Sequence, residues 1–227
     1  MHNMTSLQKG YTEVYASGGD GVLMLFREPS VEVPMYQFGV AKGGPQLFTR
    51  PAGCISVAAY RPRALIGGLL HLVPDPMEGV LPPTNEAEQL RNLQAAERYL
   101  DEFLETTDVA MSSRLAVIAG SADVGNPVID EKEQKECLDA EMIDEEGMYY
   151  IRLIQHVVRH ILSKGFRPEF YMNNSEKIVQ LSTGAGLLTV TNDSVNSAKD
   201  KPAFVFDMKG RRKKMLTELG YLLEIAF

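Results

Sequence analysis

The pattern of apolar and polar positions along the chain predicts both strands and helices. The strand segments are short apolar runs bounded by Gly and Pro clusters, as expected of buried strands. Two of them, 54–60 and 64–73, are apolar almost throughout, which is typical of strands covered on both faces. The predicted strands lie at 22–26, 31–40, 54–60, 64–73, 114–119, 169–172, 177–181, 187–190 and 203–206.

The period of about 3.6 predicts helices. One is expected from Thr84 or Asn85 to about Glu105, where Asn85 and Glu88 have the spacing of a capping box. A second runs from about Met148 to Lys164 and is followed by Gly165, a natural C-cap. The pattern also predicts a C-terminal helical extension over 211–227.

These elements predict one domain over 1–227, of the α+β or α/β class. The pattern favours a layered sandwich of mostly antiparallel β-sheet flanked by two long helices. Strands 54–60 and 64–73 are joined by Arg61, Pro62 and Arg63, a hairpin-length connection, so they are expected to be adjacent and antiparallel.

Composition and charge narrow the class of protein. With 44% hydrophobic and 23% charged residues, the chain has the composition of a soluble globular protein. The net charge is −7, and nine acidic residues against two lysines fall between Asp130 and Glu146. We interpret 129–147 as a solvated acidic insertion. No basic stripe with interleaved aromatic residues is present, so nucleic acid is not an expected partner.

The cellular compartment is predicted from two signals that the sequence does not contain. No apolar run reaches the roughly eighteen residues of a membrane span, and the N-terminal residues do not have the pattern of a secretion signal. We therefore expect a cytoplasmic protein without membrane insertion. Its two cysteines, Cys54 and Cys137, are too few for a disulfide framework.

Cys54 and His71 are the best candidates for a catalytic thiol and its base. A thiol becomes a useful nucleophile when a base can take its proton. Cys54 opens one predicted strand and His71 lies near the end of the next, seventeen positions later. The turn at Pro62 is nearly midway between them, so the pattern predicts that they lie nearly opposite each other.

The residues before Cys54 supply two further candidates. We predict that 49–53 form a loop in which Gly53 lets a substrate approach the backbone, with the Cys54 N–H as oxyanion donor. The Thr49 hydroxyl is a candidate to hold the imidazole of His71 in one tautomer, the role of the third member of a triad.

Other residues with reactive side chains have simpler explanations. His156 and His160 are four apart on a predicted helix but lack the Glu of a zinc motif, so we expect a solvated face and no metal site. Cys137 lies among acidic residues, which disfavour a thiolate, so it is expected to be unreactive. The chemistry needs no cofactor.

The segments GCISVAAY (53–60) and IGGLLHLVP (66–74) resemble the signature of the bacterial chemotaxis glutamine deamidases, the CheD family. In that family a Gly-Ser-Cys strand is followed by Gly-Gly-x-x-His. The resemblance continues more weakly over about 45–190, and the Gly53-Cys54 pair is also similar to that of toxin deamidases. Thr49 lies five positions before Cys54, whereas the family's Thr lies six before.

The resemblance implies a triad of Cys54, His71 and Thr49 that converts glutamine side chains of receptor proteins to glutamate. The expected partner is a protein that presents a glutamine, with a protein regulator as a further partner. Two alternatives stay open: a non-catalytic interaction protein on the same scaffold, and a cysteine protease or transglutaminase that uses the same thiol. The sequence predicts neither the substrate protein nor the oligomeric state.

Overall fold

The computed structural model of the chain describes residues 9–16, 21–50, 54–72, 85–110, 112–120, 145–173, 177–192, 204–208 and 213–215. The described strands are β1 (Thr12–Ala16), β2 (Val22–Phe26), β3 (Ser30–Glu32), β4 (Gln37–Lys42), β5 (Gln46–Thr49), β6 (Ile55–Arg61), β7 (Ile66–Leu72), β8 (Arg114–Gly120), β9 (Glu169–Asn173), β10 (Lys177–Ser182), β11 (Leu187–Asn192), β12 (Phe204–Asp207) and β13 (Lys213–Met215). The helices are α1 (Glu86–Thr106) and α2 (Glu145–Ser163).

The strands form two sheets. The first sheet has seven strands in the order β2-β1-β4-β7-β6-β8-β9, and the second has six in the order β13-β12-β11-β10-β5-β3. Pairing is antiparallel except between β8 and β9 and between β3 and β5. The prediction of an α+β sandwich with mostly antiparallel strands and two long helices is confirmed.

The first sheet is covered on both faces. Residues that alternate along β6 and β7 belong to two separate cores, so Val57 and Leu70 pack with the helices, whereas Ala58 and Leu69 pack with the second sheet. This two-sided burial explains why β6 and β7 are apolar almost throughout. Among the described residues, neither helix is long and apolar enough to span a membrane.

The helix termini follow the signals in the sequence. The Asn85 side chain accepts a hydrogen bond from the Glu88 N–H at 3.0 Å, which confirms it as the N-cap of α1. Gly165 follows α2 with φ +83°, a conformation that favours glycine at a helix end. Helix α2 begins at Glu145, inside the segment predicted to be an acidic insertion, since acidic residues are favoured in the first turn of a helix.

Three segments near the N-terminus differ from the prediction. The expected strand 31–40 is split into β3 and β4, because Pro34 cannot donate to a ladder and Tyr36 has φ +57°. Strands β1 and β5 were not predicted, because each is short and mixes polar with apolar residues.

The predicted C-terminal helix is wrong where the structure describes it. Residues 213–215 form β13, which pairs with β12 so that Val205 lies opposite Lys214. The backbone of β12 offers a row of ladder hydrogen bonds to this segment, and tertiary pairing outweighs the local helical pattern. Residues 216–227 lie outside the described residues.

Candidate active site

Thr49 and His71 meet between the two sheets. Thr49 is the last residue of β5 in the second sheet, and His71 is the penultimate residue of β7 in the first. The Oγ1 atom of Thr49 lies 2.5 Å from Nδ1 of His71. The structure therefore brings these two predicted residues together. Thr49 lies on a strand rather than in the predicted loop, which fixes its position more firmly.

The contacts of His71 Nδ1 favour one tautomer of its imidazole. Nδ1 also lies 3.3 Å from the carbonyl oxygen of Val33. A carbonyl only accepts, so the hydrogen is on Nδ1, where it reaches both the Val33 carbonyl and the Thr49 oxygen. Nε2 then carries a lone pair, and this is the form in which a histidine acts as a base. The Val33 carbonyl had no signal in the sequence, because any residue type supplies one.

Burial keeps this imidazole neutral. His71 is 4% exposed and Thr49 is fully buried. Desolvation lowers the pKa of His71 below its ordinary value of 6.5, against a smaller raising effect of the hydrogen bond to Val33. The side chain is therefore unprotonated at neutral pH and ready to accept a proton.

Cys54 lies just before β6, at the end of the sandwich where Thr49 and His71 meet. In the β6–β7 pairing Ser56 is opposite His71, so Cys54 is displaced from His71 by two residues. The prediction that Cys54 and His71 lie nearly opposite is corrected by this offset, which arises because the turn spans 62–65 with Leu65 at φ +53°. Cys54 directly precedes the first residue of β6, and if the alternation of that strand extends to it, its side chain lies on the same face as Ser56 and His71.

The Cys54 thiol is not hydrogen-bonded to His71 in this arrangement. Nε2 of His71 is buried without a hydrogen-bond partner among the described residues. Catalytic hydrogen bonds commonly tighten only when substrate binds. Cys54 is 8% exposed and is not part of a disulfide.

Helix α2 holds the backbone of Cys54. The hydroxyl of Tyr150 donates a hydrogen bond to the Cys54 carbonyl oxygen at 3.1 Å, and both groups are buried. Sequence reasoning placed Tyr150 in a helix but assigned it no role in the site. Its contact depends on how α2 packs against the first sheet. Gly53 and Cys137 lie outside the described residues.

His156 and His160 face α1 rather than solvent alone. His160 Nε2 lies 2.7 Å from an Asp101 carboxylate oxygen, and Lys164 Nζ lies 2.9 Å from the same oxygen. His156 Nε2 lies 2.9 Å from Glu97, without the alignment of a hydrogen bond. The expectation of a solvated face is therefore corrected: the two histidines form polar contacts between the helices.

No group of three or more metal-ligating side chains is found in the described part of the chain. Comparison of the whole chain with protein-family models and with curated proteins gives no match. The geometry of Thr49, His71 and Cys54 is therefore the observation that bears on function.

Proposed function

We propose that this protein is a cysteine-dependent amidohydrolase that deamidates glutamine side chains of proteins. The observation that carries the proposal is the state of His71: Nδ1 is held by Thr49 and Val33, while Nε2 is buried and has no partner among the described residues. His71 is therefore oriented as a base, and Cys54 lies two residues from the position paired with it on the neighbouring strand. This is the arrangement of a base beside a nucleophile.

The first half of the reaction forms a thioester and releases ammonia. His71 Nε2 takes the proton of the Cys54 thiol, and the sulfur attacks the carbon of the substrate carboxamide. The negative oxygen that develops accepts a hydrogen bond from the Cys54 N–H. As the C–N bond breaks, the proton on Nε2 passes to the nitrogen, which leaves as ammonia.

The second half restores the enzyme. His71 Nε2 takes a proton from water, whose oxygen attacks the thioester carbon. The C–S bond breaks, the proton returns to the sulfur, and a carboxylic acid is released. The balance is one carboxamide and one water in, and one carboxylic acid and one ammonia out.

The test is ammonia release from a candidate protein substrate, combined with mass spectrometry of its glutamines. The resemblance to chemotaxis deamidases makes chemoreceptor cytoplasmic domains the first candidates. We expect glutamine-to-glutamate conversion by the wild type and by Cys137→Ser, and none by Cys54→Ala. Equal release by wild type and Cys54→Ala contradicts the proposal. Cleaved peptide bonds or amine incorporation in place of ammonia release would assign the thiol to a protease or a transglutaminase.

A further inference from the structure

A row of polar residues crosses the first sheet beside the proposed nucleophile. Gln37 on β4 and Ser56 on β6 are both paired directly with His71 on the strand between them. Paired residues of antiparallel strands have their side chains on the same face. That face is turned to the second sheet, because a Cβ on Gly39, two residues after Gln37, would contact Val33 and Leu47.

Each residue of this row carries a buried polar atom without a hydrogen-bond partner in the described part of the chain. These atoms are Gln37 Oε1, His71 Nε2 and Ser56 Oγ. Ser56 is fully buried. An unpaired buried polar atom lowers stability, and three in one row next to a thiol indicate a place built for a polar ligand.

The chemistry of the three atoms specifies that ligand. Gln37 Oε1 only accepts hydrogen bonds, Nε2 of His71 accepts in the tautomer found here, and Ser56 Oγ accepts or donates. The ligand must therefore bring hydrogen-bond donors. A primary carboxamide has two on one nitrogen, and that nitrogen is the leaving group of the proposed reaction.

We propose that Gln37 and Ser56 are the specificity residues of this site, an inference that rests on the proposed function. Their side chains accept the two N–H groups of a substrate carboxamide and hold its nitrogen beside His71. Gln37 and Ser56 flank His71 on either side, about 10 Å apart at the backbone for strands spaced about 4.8 Å. One amide nitrogen bridges that span only if the Gln37 side chain extends toward Ser56.

The same atoms favour release of the product. Hydrolysis replaces the N–H donors by carboxylate oxygens, which only accept. A carboxylate in this row would face Gln37 Oε1, also an acceptor, and binds there only if the Gln37 amide turns its N–H groups inward. The orientation of Gln37 found here therefore favours the carboxamide over the carboxylate.

The test uses two electrophiles that differ at the amide nitrogen, which carries two hydrogens in chloroacetamide and two methyl groups in N,N-dimethylchloroacetamide. The rate of Cys54 alkylation by each is measured on the Cys137→Ser protein, with N-acetylcysteine as the reference thiol. The preference is the ratio of the alkylation rate with chloroacetamide to the rate with the dimethyl reagent. We expect this ratio to be about tenfold larger for Cys54 than for N-acetylcysteine, which corresponds to one or two good hydrogen bonds. Gln37→Met and Ser56→Ala should each lose most of this preference by slowing the chloroacetamide reaction alone.

Thr12→Val is the matched control. Thr12 Oγ1 is also buried without a described partner, but it lies on β1, at the other end of the first sheet from His71. It should leave the preference unchanged. A wild-type preference equal to that of the reference thiol, or one retained in both Gln37→Met and Ser56→Ala, overturns the inference.

A His71→Asn variant separates this inference from the proposed function. If alkylation by both reagents slows in His71→Asn but no carboxamide preference exists, the amidohydrolase proposal survives and the role of Gln37 and Ser56 does not. If His71→Asn reacts like the wild type with both reagents, the proposed function itself fails.

Discussion

Thr49 and His71 belong to different sheets, and their side chains meet across the interface with Oγ1 2.5 Å from Nδ1. The contact ties the orientation of the imidazole to the packing of the two sheets. Neither sheet alone holds the pair, so the site exists only when the sandwich is assembled.

Replacing Thr49 by Val removes the hydroxyl while nearly keeping the shape of the side chain. Nδ1 of His71 is then held by the Val33 carbonyl alone, and the imidazole is less well oriented. We expect Cys54 alkylation and any ammonia release to fall by about tenfold or more. Thr49→Ser should recover most of the rate, because it restores the oxygen.

Thr183→Val is the control for that experiment. Thr183 is also fully buried, and its hydroxyl donates to the Pro45 carbonyl at 2.7 Å, away from His71. Its replacement should lower the free energy of unfolding by about 1 kcal/mol and leave the alkylation rate of Cys54 unchanged. If Thr49→Val and Thr183→Val behave alike, Thr49 has only a structural role.

Replacing Tyr150 by Phe removes the hydrogen bond to the Cys54 carbonyl. Because that bond holds the backbone of the proposed nucleophile, we expect slower Cys54 alkylation together with a stability loss of about 1 kcal/mol. Tyr60→Phe is closely matched, since the Tyr60 hydroxyl donates to the Thr183 carbonyl at the same distance of 3.1 Å. Both variants should lose similar stability in urea unfolding, but only Tyr150→Phe should react more slowly.

The contacts of Asp101 with α2 predict a pH dependence of stability. Burial raises the pKa of Asp101, but hydrogen bonds from His160 and Lys164 outweigh it and hold the pKa below the ordinary value of 3.8. A carboxylate with a depressed folded pKa stabilises the fold above its unfolded pKa, and this stability is lost as pH falls through the folded pKa. The side chain is 46% exposed, so the effect at neutral pH should be about 0.5 kcal/mol.

Urea unfolding of the wild type and Asp101→Asn at about pH 7 and about pH 3 measures this effect. The variant should be slightly less stable at neutral pH and should lose less stability than the wild type in acid. A Lys164→Met protein should also lose less stability in acid than the wild type, but by a smaller margin than Asp101→Asn, because His160 still contacts Asp101. If the wild type and Asp101→Asn lose the same stability between neutral pH and acid, the contacts of the Asp101 carboxylate contribute nothing to stability.

Close packing of α1 on the first sheet predicts a large effect at Gly68. A Cβ there would clash with Thr107 Cγ2 and lie 2.7 Å from Phe103 Cε2. We expect Gly68→Ala to lower the free energy of unfolding by about 3 kcal/mol, because helix and strand must separate. At Gly44 the nearest heavy atom is 3.8 Å away, so Gly44→Ala should be nearly neutral. Similar losses in both variants would show that the close approach of α1 is not what requires glycine.

The sequence predicted elements whose signals are local. The N-cap at Asn85, the glycine after α2 and the apolar hairpin of β6 and β7 each depend on nearby residues, and the structure has all three. Strand β5 and the β13 segment were missed because their structure comes from pairing with distant strands. A one-residue difference in the position of a turn shifts the register by two, which explains the error at Cys54.

The same distinction applies to the site. Thr49, Cys54 and His71 were named from residue type and spacing, and the structure brings Thr49 and His71 into contact. The Val33 carbonyl and the Tyr150 hydroxyl contribute through tertiary contacts that no local pattern encodes. Ser56 could have been singled out, because it is a polar residue within an apolar strand, two positions after Cys54.

The most direct test of the account is the pH dependence of Cys54 alkylation by iodoacetamide in Cys137→Ser and in Cys137→Ser with His71→Asn. Because burial lowers the pKa of His71, the wild-type site should lose its base only in acid, with the midpoint of the rate decline below 6.5. That inflection should vanish in His71→Asn, and the rate near neutrality should drop by about tenfold or more. Identical profiles with and without the imidazole would contradict the claim that His71 is the base for Cys54.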